Sequence, residues 1–266
     1  MTANVIYYPQ ILQKIMELQK VSHTIIEFIR KQVKERNSYG VVLGLSGGLD
    51  SSVVAILAVR ALTHTRVFGL ILPDSKITPK SDVEDAIKLA KNLKIKYKII
   101  EIGNTKGQLL KDLPKNKLAR GNFSSRLRMS IIYYYAGVKN SLVLGTADKS
   151  ELKLGYYTKY GDGAVDIQPI ADLYKTEVRE LARYLQLASP ILKKKSSPRI
   201  WRGQTAEGEI GISYEKIDEI LQSLETNSLK YNFDSNKVER VVSMVQKNLH
   251  KQEMPPICKI RNSIRK

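Results

Sequence analysis

Val41-Val-Leu-Gly-Leu-Ser-Gly-Gly-Leu-Asp-Ser-Ser-Val-Val-Ala-Ile-Leu-Ala58 is the stretch from which the rest of the chain is read. Val41 to Leu45 is a short apolar, β-branched run, suited to a strand buried on both faces and too short for a helix. Ser46-Gly47-Gly48 then breaks it. The two glycines admit positive φ and put no Cβ in the way, so backbone N–H groups can close around an anion. The helix expected from Ser51 to Leu62 aims its positive end at the same place. Asp50, Ser51 and Ser52 supply a carboxylate and two hydroxyls where that helix begins. A carboxylate beside a phosphate cradle calls for a cation between them, and Mg²⁺ held by a carboxylate plus phosphate oxygens meets that need. An ordinary capped βα turn would account for a bare Gly-Gly, but less well for the whole Ser-Gly-Gly-Leu-Asp-Ser-Ser in this setting.

No Gly-Lys-Ser/Thr follows a first glycine at the Walker A distance, so this is not that phosphate loop. It resembles the pyrophosphate loop of ATP pyrophosphatases, which cleave ATP between its α and β phosphates. Working outward, apolar runs at Arg66 to Leu72, Lys96 to Ile102 and Ser141 to Leu144 read as further strands. Helical patterns fall between them, from Pro79 to Leu93 and from Asn122 to Val138, the latter with Phe123, Leu127, Ile131, Tyr134 and Val138 on one stripe. Alternating strands and helices predict an α/β fold, a doubly wound parallel sheet flanked by helices. An amphipathic helix over about residues 10–36 precedes the sheet, with Ile11, Ile15, Leu18, Ile25, Ile29 and Val33 on one face and Ser22 interrupting it. Glycines 155, 161 and 163 predict a functional loop without long regular structure from Asp148 to Gly163. Helices are expected from Tyr174 to Leu185, Tyr214 to Leu224 and Asp234 to Leu249, around an irregular segment from Ser189 to Glu209.

At 266 residues and 42% apolar content, the chain has material for one large core. A single cysteine, Cys258, excludes a disulfide framework and a cysteine metal cluster, fits a reducing cytoplasm and reads as structural. No run approaches a membrane span, and no secretory leader is visible, which together with the cysteine usage points to the cytoplasm. The net charge of +18 invites a nucleic-acid reading. Its lysines and arginines are spread along the chain, with Lys193 to Lys195 and Arg261 to Lys266 the dense clusters, so a solvated face or a field for nucleotide phosphates explains the charge as well.

Gly145-Thr-Ala-Asp-Lys-Ser-Glu-Leu-Lys-Leu-Gly-Tyr-Tyr-Thr-Lys-Tyr-Gly-Asp-Gly-Ala-Val-Asp166 narrows the resemblance to the NAD⁺ synthetase family. Gly121-Asn-Phe-Ser-Ser-Arg-Leu-Arg-Met129 and Gly203-Gln-Thr-Ala-Glu-Gly-Glu-Ile-Gly-Ile-Ser-Tyr214 are similar to the same family, and the likeness runs from the first helix to His250-Lys251. It implies an adenine nucleotide α-hydrolase-like fold and a ligase that amidates nicotinic acid adenine dinucleotide (deamido-NAD⁺) with ATP. The implied ATP contacts are Gly44, Leu45, Ser46, Gly47, Gly48, Leu49, Asp50, Ser51, Ser52, Thr146, Lys175 and Ser197, with Asp50 and Lys175 catalytic. Mg²⁺ would sit on Asp50 and Glu151, and deamido-NAD⁺ on Arg126, Lys159, Asp166, His250 and Lys251.

Read without the family, several of these have plainer roles. Glu151 reads as a solvated loop carboxylate, Lys175 as a surface lysine, Arg126 as a solvated helix residue, Lys159 as loop charge, Asp166 as a turn or cap, and His250-Lys251 as a basic helix end. The chain departs from the pattern at Ser196-Ser197-Pro198-Arg199, where Pro-Ser/Thr-Ala-Gly is common, and at Ser125, usually alanine. The reading is one domain over residues 1–266, with the N-terminal helix, a nucleotide-binding core over about 40–190 and a helical part over about 210–250. No glutaminase domain is expected, so ammonia is the expected donor. The family implies a homodimer, for which the helices at Ile11 to Val33 and Asn122 to Val138 are candidate interfaces. A tRNA-modifying pyrophosphatase is the competing enzyme, favoured by the loop and the charge alone; the 145–166 motif and the lack of an RNA-binding appendage argue against nucleic acid.

Overall fold

The computed structural model describes residues 7–226 and 234–260; the basic cluster from Arg261 to Lys266 lies outside them, as does the side chain of Ile11. Strands β1 (Gly40–Gly44), β2 (Val67–Ile71), β3 (Lys96–Ile99) and β4 (Ser141–Val143) form one parallel sheet in the order β3-β2-β1-β4. Helices α1 (Tyr7–Glu35), α2 (Leu49–Leu62), α3 (Lys80–Asn92), α4 (Gly103–Leu109) and α5 (Lys117–Val138) precede or alternate with the strands. After β4 come α6 (Lys149–Leu154), α7 (Lys175–Tyr184), α8 (Ser189–Leu192), α9 (Ala206–Ile210), α10 (Tyr214–Glu225) and α11 (Ser235–Asn248).

Successive residues of a strand face opposite sides, and β1 shows the consequence. Val41, Leu43 and Leu45 pack with Ile29 and Val33 of α1 and Val53 and Leu57 of α2. Val42, between them, packs with Met129 and Ile132 of α5. Helices thus cover both faces, and a strand with no solvent face reads as an unbroken apolar run. A separate core of Leu154, Tyr214, Ile217, Ile220 and Val241 joins α6, α10 and α11.

Two helices divide their apolar residues between core and surface. In α5 the inward stripe is Ser125, Met129, Ile132 and Ala136, while Tyr134 and Val138 are 70% and 69% exposed. Both stripes carry apolar residues, and the one that also holds Gly121, Ser124, Ser125 and Ala136 is the one that turns inward, where small side chains let the helix close on neighbouring elements. In α1 the buried face is limited to the second half, at Ile25, Ile29 and Val33; Leu12, Ile15 and Met16 are exposed, and Ser22 is itself buried. Cys258, expected to be structural, is exposed. No helix among the described residues is long and apolar enough to cross a membrane.

The chain leaves β1 for β2 on one side, while β4 pairs on the other, so connections diverge at the carboxyl end of β1. Such a divergence opens a crevice in a parallel sheet.

Candidate active site

A cavity of about 600 Å³ occupies that crevice. Gly44, Leu45, Ser46, Asp50 and Ser51 form one wall, and Leu70 to Pro73 and Leu144 to Ala147 bring in the ends of β2 and β4. Of the other expected ATP contacts, Thr146 and Ser197 also line it; Gly47, Gly48, Leu49 and Ser52 do not. Gly47 lies behind the wall with φ +71°, so close to the start of α3 that a Cβ would fall 2.0 Å from the Asp82 carbonyl oxygen. Ser46 Oγ accepts from Gly48 N at 3.2 Å and meets Ser51 Oγ at 2.9 Å, while Ser52 Oγ donates to Gly48 O at 2.7 Å. These hydroxyls shape the loop from within. The first turn of α2 presents N–H groups that have no partner inside the helix, which suits an anion.

Beneath this wall Lys175 is fully buried. Its Nζ lies 2.9 Å from Asp50 Oδ1, 2.7 Å from Asp148 Oδ2 and 3.0 Å from Glu151 Oε1, and 5.2 Å from the Tyr214 ring centre. A surface lysine this is not, and Glu151 is no free loop carboxylate. Asp148 and Glu151 open α6 as a reciprocal cap: Glu151 N donates to Asp148 Oδ1 at 2.8 Å and Asp148 N to Glu151 Oε2 at 3.3 Å. That helix stands where irregular chain was expected, because Gly155 in the left-handed conformation ends it instead of preventing it.

Lys175 is fixed from its backbone. Its N–H donates to Ser150 Oγ at 2.9 Å, and buried Asp218 of α10 accepts from Ser150 Oγ at 2.5 Å and from Thr176 N and Oγ1 at 2.9 and 2.8 Å.

Three carboxylates around one ammonium leave a surplus of negative charge. Burial pushes Asp148 up to about 6, with Lys175 pulling it down and Asp50 adding to the rise. Burial, then the charge of Asp148, holds Glu151 well above the usual carboxylate range. Burial opposes the charge on Lys175, but Asp50, Glu151 and Asp148 outweigh it and keep the ammonium protonated. Asp50 Oδ1 and Asp148 Oδ2 are buried and lack an aligned hydrogen-bond donor, although each is within ion-pair distance of Lys175. Anionic surplus, orphaned carboxylate oxygens and two carboxylates reaching the cavity, Asp50 and Glu151, fit a hard divalent cation. No three His, Cys, Asp or Glu among the described residues are arranged to hold a metal by themselves, so substrate oxygens would have to complete its shell.

Of the residues expected to contact deamido-NAD⁺, Lys251 lines the cavity, where its Nζ donates to Gly155 O at 2.6 Å and Tyr157 O at 3.0 Å. Arg126, Lys159 and His250 are not among the residues lining it, and they form a chain of contacts with one another: Arg126 Nε donates to Lys159 O at 3.2 Å, and Lys159 Nζ donates to His250 O. Asp166 stands apart from the cavity, accepting from Val143 N at 2.7 Å and Tyr133 OH at 3.2 Å at the edge of β4.

Sequence reasoning missed Arg128, Asp148 and Asp218. Arg128 lines the cavity, donates from Nε to Leu72 O at 2.9 Å, and has its pKa lowered by burial against the charges of Asp74 and Asp162. The Asp148-Lys-Ser-Glu151 spacing carried a capping signal that would have placed Asp148. No local signal marks Asp218, whose role comes from three elements meeting.

The family model described as NAD synthase matches residues 21–255. An "NH(3)-dependent NAD(+) synthetase" of Archaeoglobus fulgidus is 50% identical over 248 residues, covering 93% of this chain and 99% of the relative. The solved NH3-dependent NAD synthetase of Campylobacter jejuni, in complex with the nitrate ion, superposes with a TM-score of 0.80 at 42% identity, over 91% of this chain and 99% of that one. A structure named NMN synthetase, from Francisella tularensis, gives a TM-score of 0.84 at 33% identity, over 91% and 99%. With a glycine-rich loop at the sheet's switch point, a carboxylate cage behind it, and relatives matched along nearly their whole length, the chain belongs to the NAD synthase family.

Proposed function

We propose that this chain is a ligase that amidates deamido-NAD⁺ with ammonia, driven by ATP, to give NAD⁺, AMP and pyrophosphate. The observation that carries this reading is the meeting, in one cavity, of the Ser46 to Ser51 anion loop with Asp50 and Glu151. The nicotinate carboxylate oxygen attacks the α-phosphorus and pyrophosphate leaves; ammonia then adds to the acyl carbon, AMP departs with that oxygen, and a proton is lost.

Residues 44–52 hold the phosphates that become pyrophosphate, and Thr146 and Ser197 meet the nucleotide. Mg²⁺ bound through Asp50 and Glu151 would neutralise charge on the phosphates as it develops. Lys175 sets these two carboxylates in place, and its charge offsets theirs while no phosphate is present. That geometry makes positioning its first role, with a phosphate contact available only if the cage rearranges. Arg126, Lys159, Asp166, His250 and Lys251 serve the dinucleotide, with Asp166 acting by fixing the β4 edge. The exposed face of α5, including Tyr134 and Val138, is the proposed contact between two copies of the chain. Such a soluble biosynthetic role fits the cytoplasm.

The test is incubation with ATP, Mg²⁺ and deamido-NAD⁺, with ammonium or glutamine as donor, following NAD⁺, AMP and pyrophosphate. Equal appearance of all three with ammonium supports the reading, and none from folded protein contradicts it. Because the Francisella neighbour is named for NMN, nicotinic acid mononucleotide belongs beside deamido-NAD⁺ as an acceptor. Preference for the mononucleotide would replace the dinucleotide assignment and leave the adenylation chemistry standing.

A further inference from the structure

The segment Ser196 to Gln204 borders the cavity through Ser197 to Trp201 and Gln204, and it includes the chain's departure from the family pattern. Arg199, where glycine is common, has φ +49°. Glycine enters that left-handed region freely, whereas a side chain with a Cβ meets a steric penalty there. The arginine is fastened at both ends. Its Nε donates to Asp82 Oδ2 at 2.8 Å, and its backbone N–H to Ser197 Oγ at 3.2 Å, while that hydroxyl donates to Gln204 O at 2.6 Å.

Asp82 is buried, and its second oxygen lies 2.8 Å from Lys194 Nζ. Lys194 also pairs with Asp85 at 2.6 Å and donates to the Gly47 carbonyl at 2.9 Å. The Asp82 backbone in turn abuts Gly47 so closely that no Cβ fits between them. A continuous path therefore links the bordering segment, through Arg199, Asp82 and Lys194, to the anion loop. Nothing in the catalytic scheme above uses that path.

We propose that Arg199 is a positioning residue for ATP: through Asp82 it holds the Ser196 to Gln204 segment against the nucleotide cavity and in register with the anion loop. This rests on the reading of the cavity as the ATP site. The left-handed backbone persists because the fastening outweighs its penalty. Replacing Arg199 by glycine removes the penalty and the fastening together, so stability falls only by the amount the fastening exceeds the penalty, while ATP binding loses the whole of the positioning. A merely structural arginine would lower the melting temperature and leave KM for ATP unchanged.

Trp201, the only tryptophan in the chain, sits two residues on, with Lys117 Nζ 4.4 Å over its ring, and reports on the segment by fluorescence. The experiment compares the wild-type chain with Arg199→Gly, Arg199→Lys and Asp82→Asn. ATP with Mg²⁺ is titrated calorimetrically and by Trp201 emission, and melting temperature, KM and kcat are measured alongside. Arg199→Gly should melt only slightly below wild type, bind ATP roughly tenfold more weakly, the scale of one charge-assisted contact, and raise KM for ATP far more than it lowers kcat. Arg199→Lys should recover part of the affinity, and Asp82→Asn should reproduce the loss from the other side of the pair. Wild-type ATP affinity and KM in both Arg199→Gly and Asp82→Asn would overturn the positioning role and leave the ATP site intact. A wild-type chain that binds no ATP would overturn the cavity assignment and this proposal together.

Discussion

Lys175 shows how one side chain can be read correctly in place and differently in action. Its position at the start of a helix was legible, but its burial among Asp50, Asp148 and Glu151 arises from three elements converging and has no local signature. Lys175→Met should destabilise the fold by about 3–5 kcal/mol at pH 7, since it strands buried carboxylates without their counter-charge. Asp148 holds its proton up to about pH 6 in the native protein, above an ordinary carboxylate, and losing the downward pull of Lys175 raises it further. A group whose folded pKa is raised favours the folded state at low pH, so the deficit relative to wild type should be full above the variant's raised pKa and shrink as pH falls from there toward about 6, where wild-type Asp148 takes up its own proton. Denaturant unfolding at several pH values checks both size and sign. For chemistry, Asp50→Asn should keep the fold and lose about 10²-fold or more in adenylation, the scale of a group acting on transition-state charge. Pre-steady-state release of pyrophosphate measures it directly.

At the scale of elements, the strand, glycine turn and helix around residues 40–62 were legible because the apolar run, glycines and hydroxyls are contiguous. The requirement for Gly47 in particular needed the structure, which sets α3 against it. Gly47→Ala should cost at least about 1–3 kcal/mol from the left-handed backbone alone, with the Asp82 carbonyl adding to it. Gly107 inside α4 is the contrast: nothing lies within 4 Å of a Cβ there, and Gly107→Ala should stabilise by about 0.5–1 kcal/mol. Thermal melts of the two variants test whether packing, not glycine itself, sets the difference. Which face of α5 turns inward also needed the structure. Two adjacent stripes carry apolar residues, and periodicity alone could not decide which of them meets the sheet.

For the whole molecule, a parallel sheet follows from alternating strands and helices, whereas the strand order, and with it the switch point at β1 that places the cavity, needed the structure. The sequence names this helix as a candidate interface, and the structure adds which of its residues stay exposed, Tyr134 and Val138 among them. If two copies meet there, light scattering should give twice the 30.1 kDa chain mass, and Tyr134→Lys combined with Val138→Asp should return the single-chain value. An unchanged mass in that variant would move the contact elsewhere. The reaction itself has one atom that reports on its course. Deamido-NAD⁺ labelled with ¹⁸O in the nicotinate carboxylate should, after turnover with ATP and ammonium, deliver label into AMP in a one-to-one ratio with NAD⁺ formed. Label in pyrophosphate or phosphate, or AMP free of it, would contradict activation at the α-phosphorus and with it the role given to the anion loop.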